Sequence, residues 1–438
     1  MFRTRLLVTG GVSSLLALGW VPVAGAESTT PPASSTMVAV DVAASAGLRV
    51  AHSRTWSAAP HDYNRDGAQD VLINYHGYAG GVHKASAPGA KLWRNNGNGR
   101  YRRVAKYAWR SGNSRRRLID RHNCDWADVD RNGRVDLYCS AGRTENNVVK
   151  HGRDNELWLQ DRRGRFREVG TAWRAGDPCG RGRHVAFLDA NGDRFPDLFV
   201  GNDIPRKRPD PCDHSALLPS ESSKLLINVR GRSFRRAPAP WTNGRGQGDR
   251  CAEVLDYNGD GWDDLFTCGR AGTTPHLYTN QGGRGFADNT PASLAAERPS
   301  DAVVTDLDED GDPDLVTAAF GEFGYHLNDN AEFGPKTVIA SVPGPGRGWA
   351  VAVGDAEGDG DVDVYGMVEQ GLYRNADDWI WLNESLGFTR VRVPRAGGAA
   401  DDVTALRPRR DVRTAFLVLN GRKRFRSGPI QLIRVVRR

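Results

Sequence analysis

The chain has 438 residues, a hydrophobic content of 39% and a formal net charge of +7 at pH 7. This length allows one large architecture or two to three ordinary domains. The 51 glycines and 23 prolines argue against long helices. Beyond the N-terminal region no stretch is long and apolar enough to span a bilayer, which argues against a multi-span membrane protein.

Residues 1–26 are typical of a secretory signal peptide. Arg3 and Arg5 precede an apolar run that ends at a small-residue Ala-Gly-Ala site. The alternative is a membrane anchor, but Gly and Ser residues interrupt the run. Residues 27–36 (ESTTPPASST) form a low-complexity leader. We therefore expect a secreted, extracellular or cell-envelope protein whose folded part is residues 37–438.

An acidic nonapeptide recurs along this folded part. The pattern is D-x-[DNE]-x-[DN]-G-x-x-D, and its copies begin at Asp62, Asp128, Asp189, Asp256, Asp306 and Asp355. Successive copies start about 50 to 67 residues apart, a period that indicates an array of one supersecondary unit. A seventh candidate at Asp402 has lost the remaining acids.

The nonapeptide has the chemistry of a calcium loop. Positions 1, 3, 5 and 9 offer hard oxygen donors without His or Cys, and Gly at position 6 allows a tight turn. An EF-hand would need Glu at position 12 and flanking helices, whereas these flanks are strand-like. Solvated acidic turns without an ion are the remaining alternative. Up to six Ca²⁺ ions are predicted, with these ligands: Asp62, Asn64, Asp66, Asp70, Asp128, Asp130, Asn132, Asp136, Asp189, Asn191, Asp193, Asp197, Asp256, Asn258, Asp260, Asp264, Asp306, Asp308, Asp310, Asp314, Asp355, Glu357, Asp359 and Asp363.

The six loops differ in how closely they match the calcium-binding pattern. Arg194 replaces the position-6 Gly in the third loop, which predicts the weakest geometry. The second loop has Asn132 at position 5, and the sixth has the longer Glu357 at position 3. The fifth loop combines four Asp ligands with an intact Gly, so we expect it to bind calcium more tightly than the third.

Each repeat has a second half with its own plan. LWRNNGNGRYRRV (92–104) and LYTNQGGRGFADN (277–289) both run from an apolar strand through a Gly turn into a strand that opens on an aromatic residue. One unit is therefore strand, acidic loop, strand, connector, strand, Gly turn, strand. Four antiparallel strands at this repeat length predict a β-propeller blade.

With these loops and blades the chain resembles the FG-GAP/VCBS repeat family of calcium-loop β-propellers, which includes integrin α-subunit heads and many secreted bacterial proteins. The resemblance covers residues 37–438 and is closest to the VCBS-like branch. It implies an all-β, seven-bladed propeller of four-stranded antiparallel blades, six with ions and a degenerate seventh. The segment MVAVDVA (37–43) is a spare strand, expected to complete the last blade and close the ring.

The six cysteines fit an oxidised, exported protein. Cys124 and Cys139, like Cys251 and Cys268, are placed symmetrically about an acidic loop, which predicts cross-strand bridges in blades two and four. Cys179 and Cys212 remain as a third pair, although spacing alone leaves other pairings open.

No Ser/His/Asp constellation stands out among the 10 histidines. The first hypothesis is a calcium-binding extracellular binding or adhesion module and not an enzyme. A carbohydrate-active enzyme of the polysaccharide lyase kind is one alternative, and a structural or assembly partner in an extracellular complex is another, because fold alone does not decide function.

Charge and loop lengths indicate where a ligand binds. The net positive charge grows once cations neutralise the loops, which favours an anionic polysaccharide or cell-envelope polymer, while the export signal argues against nucleic acid. A basic, soluble surface without a partner is the plain alternative. The long connectors of blades one to three gather on the face opposite the acidic loops. Their predicted ligand residues, which could stack on sugars or pair with anions, are Trp109, Arg115, Arg116, Arg117, Arg121, Trp173 and Arg174.

Overall fold

Antiparallel four-stranded sheets repeat as seven blades in the part of the chain that the computed structural model describes. Residues Met37–Arg438 belong to one unit. The predicted signal peptide, 1–26, and nearly all of the leader lie outside the described residues. Among the described residues, no helix has the length and apolar character needed to cross a membrane. The described ranges are 36–48, 55–75, 90–104, 109–110, 121–142, 154–177, 180–202, 223–238, 248–269, 273–342, 346–370, 374–375, 377–395, 401–409, 413–421 and 428–438.

The first four blades follow one another directly in the sequence, after strand β1 (Met37–Asp41). Blade 1 contains β2 (Thr55–His61), β3 (Asp70–Tyr75), β4 (Lys91–Asn95) and β5 (Tyr101–Arg103). A short β6 (Trp109–Arg110) pairs in parallel with the outer strand of blade 2, which contains β7 (Arg121–Ala127), β8 (Asp136–Ala141), β9 (Glu156–Gln160) and β10 (Phe166–Glu168). Blade 3 contains β11 (Gly182–Leu188), β12 (Asp197–Asn202), β13 (Lys224–Asn228) and β14 (Phe234–Arg236). Blade 4 contains β15 (Asp249–Leu255), β16 (Asp264–Gly269), β17 (His276–Asn280) and β18 (Phe286–Asp288).

Blades 5 and 6 carry small additions. A single-turn helix, α1 (Ala292–Ala295), leads into blade 5, which contains β19 (Pro299–Thr305), β20 (Asp314–Ala319), β21 (Glu322–His326) and β24 (Thr337–Ser341), with the hairpin β22 (Asn328–Asp329) and β23 (Glu332–Phe333) inserted. Blade 6 contains β25 (Gly346–Val353), β26 (Val364–Gln370), β28 (Trp379–Glu384) and β29 (Gly387–Arg392), and β27 (Arg374–Asn375) pairs beside β26. Blade 7 contains β30 (Asp402–Leu406), β31 (Ala415–Leu419) and β32 (Gln431–Arg437).

β1 supplies the fourth strand of blade 7. It pairs antiparallel with β32, from Met37 opposite Arg437 to Asp41 opposite Ile433. Asp41 then ends the strand, because its side chain accepts hydrogen bonds from the backbone N–H groups of Ala43 and Leu432. Blade 7 thus joins residues from both ends of the folded part of the chain.

The hydrophobic core lies between the blades and not within them. The second strands are buried along their whole length, as in DLFVGN of β12 and DLVTAA of β20, because neighbouring blades cover both of their faces. Among the described residues, each of the seven core clusters combines side chains of two adjacent blades, and one of them joins blade 7 to blade 1. The predicted all-β, seven-bladed propeller is confirmed.

Two disulfides cross the first two strands of their blades. Cys124 and Cys139 are register partners in blade 2 with a Cα–Cα distance of 4.1 Å. Cys251 and Cys268 occupy the equivalent place in blade 4, at 5.0 Å. These pairings agree with the sequence prediction. The third predicted pair, Cys179 and Cys212, lies outside the described residues.

Candidate metal loops and axial cavity

Every acidic nonapeptide connects the first and second strands of a blade and is folded by its own carboxylates. In the loop of blade 1, Asp62 accepts hydrogen bonds from the backbone N–H of Asp66 at 3.1 Å and of Gly67 at 2.8 Å. The position-6 N–H makes the same bond to the first Asp in the other loops, at 2.7 to 3.2 Å. This wrapping directs the ligand oxygens of positions 1, 3 and 5 towards one another.

Two residues in each loop adopt left-handed backbone conformations, at positions 4 and 6. In the third loop Arg194, at position 6, has φ 65°, so it takes the conformation that Gly takes elsewhere. The expected distortion is therefore absent from this backbone, but a non-Gly residue at such φ costs about 1 kcal/mol. Gly192 fills position 4 there with φ 73°, and a Cβ on it would lie 2.7 Å from the ring of Trp262 in the next blade.

The position-9 Asp anchors each loop to the third strand. Its side chain is fully buried, and its Oδ1 accepts a hydrogen bond of 2.7 to 2.9 Å from a backbone N–H at the end of that strand or, in blade 5, at the start of β22. The donors are Asn95, Gln160, Asn228, Asn280, Asn328 and Asn383. Loop and blade are thus held as one body.

The side-chain amides of these donors form a second set of bonds, to the preceding blade. Asn228 Nδ2 donates to the Val129 carbonyl at 2.9 Å, and Asn280 Nδ2 donates to the Ala190 carbonyl at 3.1 Å. Gln160, Asn328 and Asn383 make the same contact with position 2 of the preceding acidic loop, and Asn95 contacts the Pro408 carbonyl of blade 7. We call these six residues the amide ring. Sequence reasoning missed it, although an amide ends the third strand in each of LWRN, LWLQ, LLIN, LYTN, YHLN and IWLN.

Burial makes the position-9 carboxyl groups costly to ionise unless a positive charge lies beside them. Burial, together with the neighbouring acids Asp66 and Asp62, raises the pKa of Asp70 to about 7. The pKa values of Asp136, Asp197, Asp264 and Asp363 are raised to about 7, and that of Asp314 to about 6, for the same reasons. Burial also raises the pKa of Glu357 to about 8. When ionised, these buried carboxylates repel one another, and a bound cation would offset that repulsion.

The donor set fits a hard cation. Ligand oxygens of Asp128, Asp130 and Asp136 lie within 4.8 Å of one another, as do those of Asp306, Asp308 and Asp314. Several buried oxygens of the loops lack a hydrogen-bond partner, namely Asp70 Oδ2, Asp189 Oδ1, Asp264 Oδ2, Asp306 Oδ1, Asp308 Oδ1 and Glu357 Oε2. Oxygen-only clusters with unused lone pairs suit calcium better than softer metals. In the first loop Arg94 Nη2 contacts Asp66 Oδ2 at 2.8 Å, so a fixed cation already lies beside that loop.

The predicted ligand residues have different surroundings. Arg115, Arg116 and Arg117 lie outside the described residues, and Trp109 is described by its backbone alone. Arg121 is ion-paired, its Nη2 lying 2.6 Å from Glu156 Oε2. Trp173 packs against the core between blades 2 and 3, and Arg174 is exposed in the same link.

A cavity of about 280 Å³ lies at the opposite end of the inner strands from the acidic loops. In blade 2, for example, β7 begins at the cavity and ends at Ala127, directly before Asp128. All seven blades contribute to its wall. The lining residues are Trp56, Ser57, His122, Asn123, Arg181, Arg183, His184, Arg250, Ser300, Asp301, Trp349, Ala350, Asp401 and Asp402. We call it the axial cavity.

Aromatic and cationic side chains are stacked on one side of the axial cavity. The rings of Trp56 and His122 stack at 4.6 Å, and the Arg183 guanidinium lies 5.9 Å from the centre of the Trp56 ring. Arg183 Nη1 and His122 Nδ1 are 2.5 Å apart. On the wall formed by blades 6 and 7, Trp349 Nε1 donates to the Asp401 carbonyl at 2.8 Å.

Carboxylates near the axis bind the inner strands to one another. Asp301 Oδ2 accepts the Val351 N–H at 3.0 Å, and Asp402 Oδ2 accepts the Ala58 N–H at 3.3 Å. Burial raises the pKa of Asp301 to about 7 and that of Asp402 to about 8. Deeper in the ring, burial and the nearby Asp301 raise the pKa of Glu253 to about 8. These acids are close enough to repel one another when ionised.

Comparison with known proteins supports the repeat assignment. The family described as FG-GAP-like repeat matches residues 62–139, 256–317 and 306–366. A search of curated proteins gives no match. Among solved structures, the chain is similar to an Agrocybe aegerita lectin described as specifically recognising non-reducing terminal N-acetylglucosamine. The identity is 16% and the TM-score 0.45, over 78% of this chain and 80% of the lectin chain. The chain is therefore a seven-bladed β-propeller in which these three stretches match FG-GAP-like repeats.

Proposed function

We propose that the protein is a secreted, calcium-binding β-propeller that acts as an extracellular binding module for an anionic polysaccharide or cell-envelope polymer. The observation that carries this proposal is the division of charge between the two ends of the inner strands. Acidic loops suited to cations occupy one end, and a cavity whose wall carries three Arg and two Trp beside three Asp occupies the other. The two disulfides fit an exported protein.

Calcium has a structural part in this proposal. Each ion would be held by positions 1, 3, 5 and 9 of one acidic loop and would supply positive charge to acids that burial otherwise makes costly to ionise. Because the amide ring ties the acidic loops of blades 1 to 5 to the next blade, a loop fixed by its ion would also fix the spacing between these blades.

The ligand would bind on the face opposite the calcium loops. In this proposal the predicted residues Trp109, Arg115, Arg116, Arg117, Arg121, Trp173 and Arg174 would bind the ligand together with the axial cavity. Arg guanidinium groups pair with carboxylate and phosphate groups, and aromatic faces stack on sugar rings. A polymer with regularly spaced negative charges could contact the cavity and the surrounding connectors at the same time.

The test is binding of immobilised hyaluronan, a polymer with one carboxylate per disaccharide, by the calcium-loaded protein. Replacing Arg115, Arg116 and Arg117 by Ala should reduce binding at least tenfold and leave calcium binding unchanged. The matched control replaces three exposed arginines of the Gly turns on the calcium-loop face, Arg162, Arg163 and Arg232. An equal loss in both variants would show that net charge and not this face attracts the polymer.

A carbohydrate-active enzyme is the second candidate. The close contact between Arg183 and His122 in a cavity that also contains carboxylates with raised pKa favours it. Chromatography of the polymer after prolonged incubation decides the matter, because a binding module leaves the chain length unchanged, whereas a lyase produces unsaturated fragments that absorb in the ultraviolet.

A further inference from the structure

The axial cavity has the size of a small-ligand site. Its volume of about 280 Å³ lies at the lower end of the range for ligand pockets. It is enclosed by seven inner strands that the core and the disulfides hold in place. Such a cavity admits one sugar unit or the end of a chain, and not a polymer segment lying across the disc.

The wall of the axial cavity carries cations suited to a carboxylate. Arg181 and Arg183 come from blade 3, and Arg250 comes from the start of blade 4. All three are partly exposed, so their guanidinium groups can meet a ligand without being drawn from the core. The facing acids are Asp301, Asp401 and Asp402. Burial raises the pKa values of Asp301 and Asp402, which reduces the negative charge that faces the three arginines near neutral pH.

The rest of the wall suits the ring and hydroxyl groups of a sugar. Trp56 and Trp349 are both half-buried and come from blades 1 and 6. Large aromatic surfaces at a ligand site provide apolar contact for a sugar ring. Asn123, Ser57 and the acids of the opposite wall supply short polar groups that can pair with hydroxyls. A simple inorganic anion would leave these aromatic and polar groups unused.

We infer that the axial cavity binds a single uronic acid unit, with its carboxylate on Arg183 and Arg250 and its ring against the tryptophans. This inference rests on the proposed function, since it names the part of an anionic glycan that enters the propeller. The site is separate from the predicted connector residues, because every residue that lines the cavity belongs to an inner strand or directly precedes one.

The experiment measures binding of methyl β-glucuronide by isothermal titration calorimetry, with methyl β-glucoside and inorganic sulfate as comparison probes. We expect the glucuronide to bind at least tenfold more tightly than the glucoside, which lacks only the carboxylate. We also expect sulfate to bind at least tenfold more weakly than the glucuronide. Equal affinity for the two glycosides, or equal affinity for sulfate and glucuronide, would overturn the inference without any variant.

Two variants from different blades locate the site. R183M and R250M should each lower glucuronide affinity at least tenfold, while R235M, an exposed arginine on β14, removes the same charge and should leave it unchanged. Thermal unfolding with calcium verifies that the variants remain folded. If both folded variants retain full glucuronide affinity, the cavity is not the site.

The outcomes separate this inference from the proposed function. Hyaluronan binding without glucuronide binding leaves the proposed function standing and overturns the cavity inference. Glucuronide binding that R183M and R250M abolish, without hyaluronan binding, supports the cavity inference and removes hyaluronan as the polymer.

Discussion

The two ends of the inner strands differ in how regularly their residues repeat from blade to blade. At the acidic end, six blades present the same residues in the same geometry, and the amide ring repeats with them. At the cavity end, each blade contributes something different, such as Trp56 from one and Arg250 from another. Chemistry that recurs in every blade serves the architecture that all blades share. Chemistry that occurs once, at a point where all blades meet, is suited to selecting a ligand.

Among the tests of this comparison, removing calcium should cause the largest change in the stability of the protein. Ions that bind only the folded state stabilise it by mass action, by about 2.7 kcal/mol for each site at a hundredfold excess over Kd. With several sites, millimolar calcium should raise the melting temperature by about 10 °C or more over the chelated protein. Calorimetry with magnesium at the same ionic strength is the control, and superimposable curves with calcium and chelator would refute calcium loops.

Breaking one member of the amide ring should have the next largest effect. Asn228→Ala leaves the buried carbonyl of Val129 without its donor, which costs about 1 to 3 kcal/mol. Asn98→Ala removes the same group from an exposed Gly turn and should change stability by less than about 0.5 kcal/mol. Urea unfolding with saturating calcium measures both. Similar losses in the two variants would mean that the ring adds nothing beyond an ordinary surface amide.

The axial carboxylates predict a pH dependence at the other end. Because folding raises the pKa of Glu253 to about 8, its contribution is complete below its ordinary value near 4.5 and is lost as pH rises towards 8 and above. The calcium-loaded protein should therefore be less stable at pH 9 than at pH 6, and Glu253→Gln should reduce that difference by about 2 to 3 kcal/mol.

Asp161→Asn is the control for this pH effect. Asp161 is partly exposed. Its partial burial acts to raise its pKa, but its contacts with Arg165 outweigh this and lower the pKa to about 2, so Asp161 stays ionised across this pH range. An unchanged pH dependence in Glu253→Gln would show that Glu253 does not titrate between pH 6 and 9.

Relaxing the third acidic loop should give the smallest effect. Arg194→Gly removes a side chain from a residue at φ 65° and should raise stability by about 0.5 to 1 kcal/mol. It should also bring the calcium affinity of this loop closer to that of the loop that begins at Asp306. Arg163→Gly, in a Gly turn at ordinary φ, should instead lower stability. A loss of stability in Arg194→Gly would show that the arginine side chain makes a stabilising contact that outweighs its backbone strain.

Much of the architecture could be predicted because it repeats. Six acidic loops located the first two strands of six blades, and the positions of Cys251 and Cys268 about one loop gave their pairing. The amide ring was also periodic, but Asn and Gln at strand ends are common in turns, so their reach into the next blade needed coordinates. The axial cavity could not be predicted, because Trp56, Arg183 and Trp349 are far apart in the sequence and each is unremarkable in its own strand.

The pairing of β1 with β32 gives the disc a mechanical polarity. Met37 lies opposite Arg437, so the two ends of the folded chain leave the same edge of one blade side by side. A force that pulls these ends apart acts on the ladder between β1 and β32 one hydrogen bond at a time, as in unzipping, and opens blade 7 before any other.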